Sequence, residues 1–234
     1  MTATGQWTDL LAADRVLLDR TSAAEQVADV LRLRIIEGKL EPGTQLSEKD
    51  AAEALSVSRN TLREAFRLLV HERLLVHEFN RGVFVRIPSV DDVRDLYRSR
   101  RLLAVGAVRL ATGAKRELVD DIDQAVAEGE RAAEEQRWKD VGTANMHFHR
   151  ALVALAGSAR VNESMSQLMA ELRLAFHVME HPREFYEPYL GLNRAIADLI
   201  AAGAVDDAVA RLEEYFEEAQ FQLVKAYQKK RGEP

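Results

Sequence analysis

The sequence predicts a mainly α-helical protein of two domains, a small N-terminal domain with a β-hairpin and a C-terminal antiparallel bundle of about six helices. Three observations predict this fold class. Two capped helical segments separated by a tight turn lie within residues 47–71, and two short β-forming runs follow them. From residue 90 onward the apolar pattern is almost wholly helical. We place the two domains at residues 15–88 and 89–230.

The N-terminal domain begins with a helix that Ser22 and Glu25 open as a capping box and that Gly38 ends. Ser47 and Ser58 start the next two helices, because a serine hydroxyl can accept hydrogen bonds from the unpaired amides of a helix start. In the last of these three helices an i, i+3, i+4, i+7 pattern predicts a buried face made of Leu62, Ala65, Phe66 and Leu69.

The same helix carries arginine and polar residues beside that buried face. Arg59, Asn60 and Arg63 lie in its first turns, and Arg67 follows one turn later. Arginine can bind phosphate or the guanine edge, while Asn60 and Thr61 can bond base edges or backbone, so this face can bind DNA. Taken alone, a solvated basic face on an ordinary core helix is the alternative interpretation.

A predicted β-hairpin follows the helix pair. Residues 74–76 and 83–85 are short apolar runs rich in β-formers, and Phe79 to Gly82 supply a polar, glycine-containing connection with Arg81 at its tip. Helix, turn, helix and hairpin together make a winged helix-turn-helix, which presents its second helix to the DNA major groove. Arg81 is then placed to reach the minor groove. This order of elements favours a DNA-binding regulator over an enzyme.

Composition is compatible with this interpretation. The net charge of −6 is unequally divided, since residues 15–88 hold 12 basic and 11 acidic residues while residues 89–234 hold 20 and 25. The sequence has no cysteine, which excludes disulfides, thiolate zinc sites and a cysteine nucleophile. No apolar stretch reaches membrane length and residues 1–18 lack a signal-peptide layout, so we expect a cytoplasmic protein without membrane partners.

The C-terminal domain has predicted helices near residues 91–112, 115–136, 139–156, 159–180, 187–202 and 205–229. Polar residues lie on the apolar faces of four of them, where burial would cost free energy without partners. Each one singly is compatible with an ordinary core position, but together they predict a ligand pocket inside the bundle. The candidate effector-binding residues are Arg100, Asn145, His149, Asn193 and Tyr215.

Residues 22–87 resemble the N-terminal domain of GntR-type bacterial transcription regulators, through the stretch EQVADVLRLRIIEGKLEPGTQLSEKDAAEALSVSRNTLREAFRLL. The resemblance implies that Lys49, Arg59, Arg63 and Gly82 occupy the family's DNA-contacting positions. The sequence departs from many relatives at two of its residues, since Thr61 stands where they carry proline and Lys49 replaces an arginine. Neither change removes a DNA contact, although lysine loses bidentate geometry.

Residues 94–220 resemble the all-helical FCD-type ligand-sensing domain of the FadR branch of that family, through RDLYRSRRLLAVGAVRLA, ANMHFHRAL and NRAIADLIAAGAVDDAVARLEEYF. Arg100 lies at the family's arginine position. Many members bind a divalent metal with one aspartate and three histidines, but those positions here are Asn145, His149, Asn193 and Tyr215. One histidine would then hold the metal nearly alone, so we predict no metal and no other cofactor. Metal-dependent sensing of a small carboxylate is the alternative.

Two histidine pairs raise the alternative of a helical-bundle metalloenzyme. His147 and His149 are two residues apart, about 200° around a helix, and cannot chelate one ion. His177 and His181 are predicted to share a helix face, but no glutamate lies between them where a zinc hydrolase uses one. We therefore predict no catalytic residues. A purely structural dimerisation module would leave Arg100 on an apolar face without a purpose.

The sequence accordingly predicts a homodimeric transcription regulator that binds a palindromic double-stranded operator. A small-molecule effector in the helical bundle is expected to modulate operator binding allosterically. Without a metal, that effector is expected to be an acyl or other partly apolar carboxylate paired with Arg100. Repression relieved by the effector is favoured over activation.

Overall fold

The computed structural model describes residues 22–179 and 181–231 of the 234-residue chain, so residues 15–21 of the predicted first domain lie outside the described part. The described chain divides after Arg86 into two compact units. The prediction of a mainly α-helical protein, with a winged helix-turn-helix before a helical bundle, is confirmed. The predicted domain bounds of 15–88 and 89–230 stay a prediction.

The first unit combines three helices with a small antiparallel sheet. Its helices are α1 (Ala23–Ile36), α2 (Glu48–Ala54) and α3 (Arg59–His71), and its strands are β1 (Gln45–Leu46), β2 (Leu75–Glu78) and β3 (Gly82–Val85). The strand order is β1-β3-β2, with Glu78 opposite Gly82 at the tip of the hairpin. Strand β1 adds a third strand to the predicted hairpin. The sequence did not predict it, because a strand of two residues is too short to show an apolar–polar alternation.

All three predicted serine caps form. Ser22 and Glu25 make a reciprocal capping box, and the Ser47 and Ser58 hydroxyls accept from the third amide of their helices, at 3.3 Å and 3.1 Å. Helix α3 buries the predicted face, Leu62, Ala65, Phe66 and Leu69, in the core of the unit. At the end of α3, Glu72 accepts from two nitrogens of Arg32 at 2.7 Å and 2.6 Å, which ties α1 to α3.

Within residues 87–179 and 181–231 the second unit has six α-helices and one 3-10 turn. The helices are α4 (Val90–Arg109), α5 (Arg116–Glu134), α6 (Trp138–Ala154), α7 (Ala159–Ala175), α8 (Pro182–Ala201) and α9 (Val205–Arg231). Two predicted bounds are wrong. Helix α7 ends at Ala175 before the 3-10 turn Phe176–Val178, and α8 begins at Pro182 rather than at 187. Proline suits a first helical position because it lacks an amide hydrogen.

Two glycines allow α8 to approach its neighbours closely. A Cβ at Gly142 on α6 would come within 2.7–2.8 Å of the Tyr186 ring. A Cβ at Gly129 on α5 would lie 3.3 Å from Leu190. These contacts hold α8 against α5 and α6 and thereby set the position of Asn193 in the core.

Every helix of the described residues is too short or too polar to span a membrane.

The N-cap of α3 gives a test of the DNA-binding unit. We expect Ser58→Ala to lower the free energy of unfolding by about 1 kcal/mol, because it leaves the Thr61 amide without its acceptor. Urea unfolding followed by circular dichroism measures the change. Ser58→Asp restores an acceptor and should retain most of the stability; equal losses in both variants would contradict the capping role.

Candidate functional site

The first candidate surface is the exposed side of α3 together with the start of α2. Arg59, Asn60 and Arg63 are exposed, opposite the buried face of α3. Among the described residues, none forms an ion pair with Lys49 or Arg59, so both cations are available to a ligand. Arg63 Nε donates to Glu48 Oε2 at 2.8 Å, but both partners are partly exposed. Such a pair is weak and phosphate can displace it.

Thr61 is more involved in the helix start than the sequence indicated. Its hydroxyl lies 2.8 Å from the Ser58 hydroxyl, and its amide donates to the same oxygen at 3.1 Å. Helix α3 therefore begins with a small hydrogen-bonded cluster, which fixes the orientation of the first turn that carries Arg59 and Asn60.

The wing tip is the three-residue connection between β2 and β3. The Arg81 amide donates to the Glu78 carbonyl at 3.1 Å, and Gln45 Nε2 donates to the Arg81 carbonyl at 2.7 Å. Gly82 has φ +102°, a left-handed value that favours glycine. The Arg81 guanidinium pairs with Glu78 and lies 5.2 Å from the Phe84 ring centroid. The tip is thus a stiff turn.

The second candidate site lies in the middle of the bundle. The structure brings together all five predicted effector-binding residues, which come from α4, α6, α8 and α9: Arg100, Asn145, His149, Asn193 and Tyr215. Oδ1 of Asn145 accepts from Asn193 Nδ2 at 2.8 Å and from the Tyr215 hydroxyl at 3.1 Å. Burial raises the pKa of Tyr215 above its ordinary value, so the phenol stays protonated and donates.

Arg100 carries a buried charge in this site. It is 1% exposed, and no carboxylate of the described residues forms an ion pair with it. Its guanidinium carbon lies 5.0 Å from the Tyr97 ring centroid and 5.2 Å from that of Phe216, and its Nε has no hydrogen-bond partner. Cation–π contacts offset part of the cost of burying the charge, but an anion would offset more.

His149 lies beside this charge among aromatic rings. Its ring centroid is 5.0 Å from that of Tyr215 and 5.5 Å from that of Phe216. Neither ring nitrogen has a hydrogen-bond partner. Burial, and then the nearby Arg100 guanidinium, lower the pKa of His149 well below its ordinary value, so the imidazole is neutral. Asn193 Oδ1 is a further buried acceptor without a partner.

The sequence analysis missed the aromatic residues that fill the space around these polar groups. Tyr97, Tyr189 and Phe216 are buried there, and Tyr189 donates to Gln222 at 3.0 Å. The sequence analysis named none of the three, and no local pattern shows that they surround Arg100 and Tyr215. Tyr189 also lines the cavity beside Asn145 and Asn193, which has a volume of about 10 Å³. That is room for about one water molecule.

The donor atoms of this site do not fit a divalent metal. Asn145 Oδ1 already accepts two hydrogen bonds, and the Tyr215 phenol is protonated. His149 is the one strong ligand type present, and the Arg100 charge opposes a second cation nearby. Across residues 22–179 and 181–231 we find no group of three histidine, aspartate or glutamate side chains able to hold a metal ion.

The histidines considered as enzymatic groups are placed differently. His147 is on the surface and its Nδ1 lies 2.8 Å from Glu128, whereas His149 faces the core. The prediction that His177 and His181 share a helix face is wrong, because His177 lies in the 3-10 turn and His181 is the N-cap of α8. The intervening turn directs the chain into a new helix, so neither pair provides a chelating arrangement.

The order of elements in the first unit and the basic face of α3 define a class of protein, the winged-helix DNA-binding regulators. The chain belongs to the GntR family. The model of the bacterial regulatory proteins of the gntR family matches residues 23–85, and the FCD domain model matches residues 95–218. The matched domains and relatives are transcription regulators and not enzymes, as the sequence predicted.

Individual relatives agree. The uncharacterized HTH-type transcriptional regulator BphR of Paraburkholderia xenovorans is 31% identical over 74% of this chain and 75% of its own length. The gluconate operon transcriptional repressor of Bacillus licheniformis is 34% identical over 46% of this chain and 44% of its own. The crystal structure of a GntR transcriptional regulator from Rhodococcus sp. RHA1 has a TM-score of 0.82 and 42% identity, covering 88% of this chain and all of that one.

Because His149 is neutral in the folded protein, we expect the stability of the protein to depend on pH. The pKa of His149 is lower in the folded state than in the unfolded state. As pH falls, the unfolded protein therefore takes up a proton at this residue more readily, and acid favours unfolding. Stability from this residue is present above about pH 6.5 and is lost as pH falls below it, by about 1.4 kcal/mol per pH unit.

Urea unfolding between pH 7.5 and 5 measures this dependence. We expect His149→Gln to flatten the profile, and His147→Gln, on the exposed side of the same helix, to retain the contribution of His149. Identical profiles for wild type and His149→Gln would show that His149 can be protonated in the folded protein.

Proposed function

We propose that this protein is a homodimeric repressor that binds a palindromic operator in the cytoplasm and releases it when an organic anion binds beside Arg100. Membership of the GntR family supports DNA binding and transcription regulation. Repression is supported by relatives such as the gluconate operon transcriptional repressor. We infer dimerisation from the proposed palindromic operator, since two half-sites one helical turn apart need two recognition helices.

For operator recognition, we assign base contacts to α3 and phosphate contacts to the cations around it. Arg59, Asn60 and Arg63 are exposed in the first turns of α3, where a recognition helix reaches base edges. Lys49 at the start of α2 is placed for a phosphate, and Thr61 for a phosphate or base edge. Arg81 and Gly82 belong to the wing, where the absence of a side chain at Gly82 lets backbone approach the DNA.

The single observation that carries the effector proposal is the buried charge of Arg100. A guanidinium that is 1% exposed and lacks a carboxylate partner is costly in the ligand-free protein. An anion bound to it would be stabilised by a charge-assisted hydrogen bond, to which the unpartnered Nε can contribute. Asn145, His149, Asn193 and Tyr215 then provide neutral hydrogen-bonding groups around the ligand.

The surroundings of Arg100 also indicate the chemical class of the ligand. Tyr97 and Phe216 flank the guanidinium and at the same time line a surface groove of about 210 Å³ between α4 and α9. A carboxylate with an apolar body suits this combination of one buried cation and aromatic walls. Because Arg100 is 1% exposed and does not line this groove, a ligand that enters from the groove needs the Tyr97 and Phe216 rings to move.

The second candidate function is metal-dependent sensing of a small carboxylate. The donor atoms argue against it, because Asn145 Oδ1 is already fully used and the Tyr215 phenol is protonated. In the proposed site, ligand binding therefore depends on the charge of Arg100 and on hydrogen bonds rather than on a metal. In the unliganded alternative, Arg100 would have only a structural role and no anion would bind.

Effector and operator then act as competing ligands of one dimer. The aromatic residues that must move for an anion to reach Arg100 pack on α4, α6, α8 and α9, so ligand binding rearranges the bundle core. The bundle has two conformations in this scheme, a closed one without ligand and a rearranged one with ligand. If a dimer with closed bundles binds the operator better, the ligand lowers operator affinity, at most by the ratio of the ligand's affinities for the two conformations.

The recognition helix is tested by Arg63→Ala. We expect this substitution to weaken operator binding by about 1–3 kcal/mol, because it removes a base or phosphate contact without touching the core of α3. The operator is first selected from a random DNA pool with wild-type protein, and affinity is measured by fluorescence anisotropy. Arg116→Ala, an exposed arginine of α5, is the matched control and should bind as wild type. Unchanged affinity of Arg63→Ala would refute the assigned recognition helix.

The effector site is tested by Arg100→Met. Because it replaces an uncompensated buried charge by an apolar chain of similar length, we expect ligand-free protein to become more stable while losing its response to anions. Arg211→Met is the matched control, since Arg211 is an exposed arginine of α9 that pairs with Glu214 and does not line the groove.

The measurement is the shift of thermal midpoint and of operator affinity with a series of straight-chain aliphatic carboxylates, with and without a chelator. Stabilisation of wild type and of Arg211→Met, but not of Arg100→Met, supports the proposal. A response that survives in Arg100→Met, or one that disappears with the chelator, would overturn the metal-free anion site.

A further inference from the structure

A phenylalanine stands at the tip of the wing. Phe79 is 85% exposed, more than any other large hydrophobic side chain of the described residues. It occupies a central position of the turn in which the Arg81 amide donates to the Glu78 carbonyl. A polar residue would satisfy the same turn, and turns favour glycine, asparagine, aspartate and proline, so the fold itself does not require an aromatic ring here.

Two left-handed residues and one side-chain hydrogen bond fix the backbone of the turn that carries this ring. Asn80, next in the chain, has φ +58°, and Gly82 has φ +102°, so two left-handed residues fix the path of the backbone behind the tip. The hydrogen bond from Gln45 Nε2 to the Arg81 carbonyl, at 2.7 Å, ties the same turn to β1. The ring is therefore presented at little cost in backbone entropy when it meets a partner.

The charges at the tip cancel locally. Arg81 is paired with Glu78, three residues before it, and its guanidinium also lies over the Phe84 ring. In contrast to the side of the unit that carries Lys49 and Arg59, the tip has no excess of positive charge for phosphates. What it offers to a partner is apolar surface.

We propose that Phe79 is a DNA-contacting wedge, which enters the minor groove beside the recognition site, partly unstacks one base step and bends the operator. Apolar side chains that enter the minor groove act in this way in architectural DNA-binding proteins. Because unstacking is easiest at pyrimidine–purine steps, the wing reads operator flexibility at a position where it makes no base-specific hydrogen bond. Phe79 is thus a specificity-determining residue outside α3.

The partner is DNA rather than a second copy of the chain for two reasons. The wing belongs to the same unit as the recognition helix, so the tip continues a surface that is already committed to the operator. In addition, one phenylalanine exposes about 200 Å² at most, far below the roughly 1,200 Å² that a stable protein interface buries.

The test uses the full-length protein and an operator selected from a random pool. 2-Aminopurine is placed at successive steps flanking each half-site, and a second duplex carries donor and acceptor dyes at its ends. With wild type we expect a rise of 2-aminopurine fluorescence at one step and closer duplex ends. Phe79→Ala should lose both signals and bind about tenfold more weakly, which corresponds to about 1.4 kcal/mol.

Salt dependence separates the wedge from an electrostatic contact. Phe79→Ala should leave the slope of log affinity against log salt unchanged, whereas Lys49→Ala, which removes one phosphate contact, should reduce the slope by roughly 0.9. Phe221→Ala is the matched control, because Phe221 is also exposed, at 61%, but lies on α9 in the other unit. This control should retain wild-type affinity and bending.

Two results would overturn the proposal: wild-type affinity and bending in Phe79→Ala, or a change of oligomeric state in that variant, which would make the tip a contact between copies of the chain. The proposal rests on operator binding by the winged helix and not on the effector. If Phe79→Ala behaves as wild type while Arg63→Ala loses binding, the wedge alone fails; if Arg63→Ala also binds normally, the assigned DNA surface fails.

Discussion

The second unit is organised around one positive charge that is buried without a negative partner. The ring centroids of Tyr97 and Phe216 lie 5.0 Å and 5.2 Å from the guanidinium carbon of Arg100, where their electrons partly offset its charge. The same charge contributes to keeping His149 neutral. Each helix of the site carries a polar residue on its buried, apolar face. Burying these polar groups costs free energy, which a purely structural bundle would avoid by using apolar residues.

The free-energy cost of burying the Arg100 charge would contribute to ligand binding if an anion compensated that charge. A site that is complete in the ligand-free protein gains little from a ligand, whereas unpartnered Arg100 Nε, His149 and Asn193 Oδ1 gain hydrogen bonds and charge compensation. The binding energy available to move side chains, and through them the bundle, is largest where the ligand-free site is least satisfied. In the proposed function, sensing would depend on this incomplete pairing rather than on a preformed cavity.

The DNA-binding unit solves a different problem with local means. Its serine caps fix the starts of α1, α2 and α3, the Arg32–Glu72 pair ties the end of α3 to α1, and left-handed residues fix the turn of the wing. The exposed residues on this frame can then vary in character. In the proposed complex, the cations near α3 would provide affinity that depends on salt, and Phe79 would provide an apolar contact that does not.

Sequence patterns predicted the caps, the buried face of α3 and the set of polar core residues, because these depend on contacts three or four residues apart and on helical periodicity. They misplaced the start of α8 and missed β1, where the signal is one proline or two residues long.

The sequence by itself determined that this is a two-part, mainly helical regulator and which polar residues lie on the apolar faces of its bundle. Only the tertiary structure decided that Asn145 accepts from both Asn193 and Tyr215, that aromatic rings close the cavity, and that Arg100 lacks a carboxylate. The physical reason is that these features join residues on different helices, 48 and 70 positions apart for the two hydrogen bonds, whose distance and orientation no local pattern encodes.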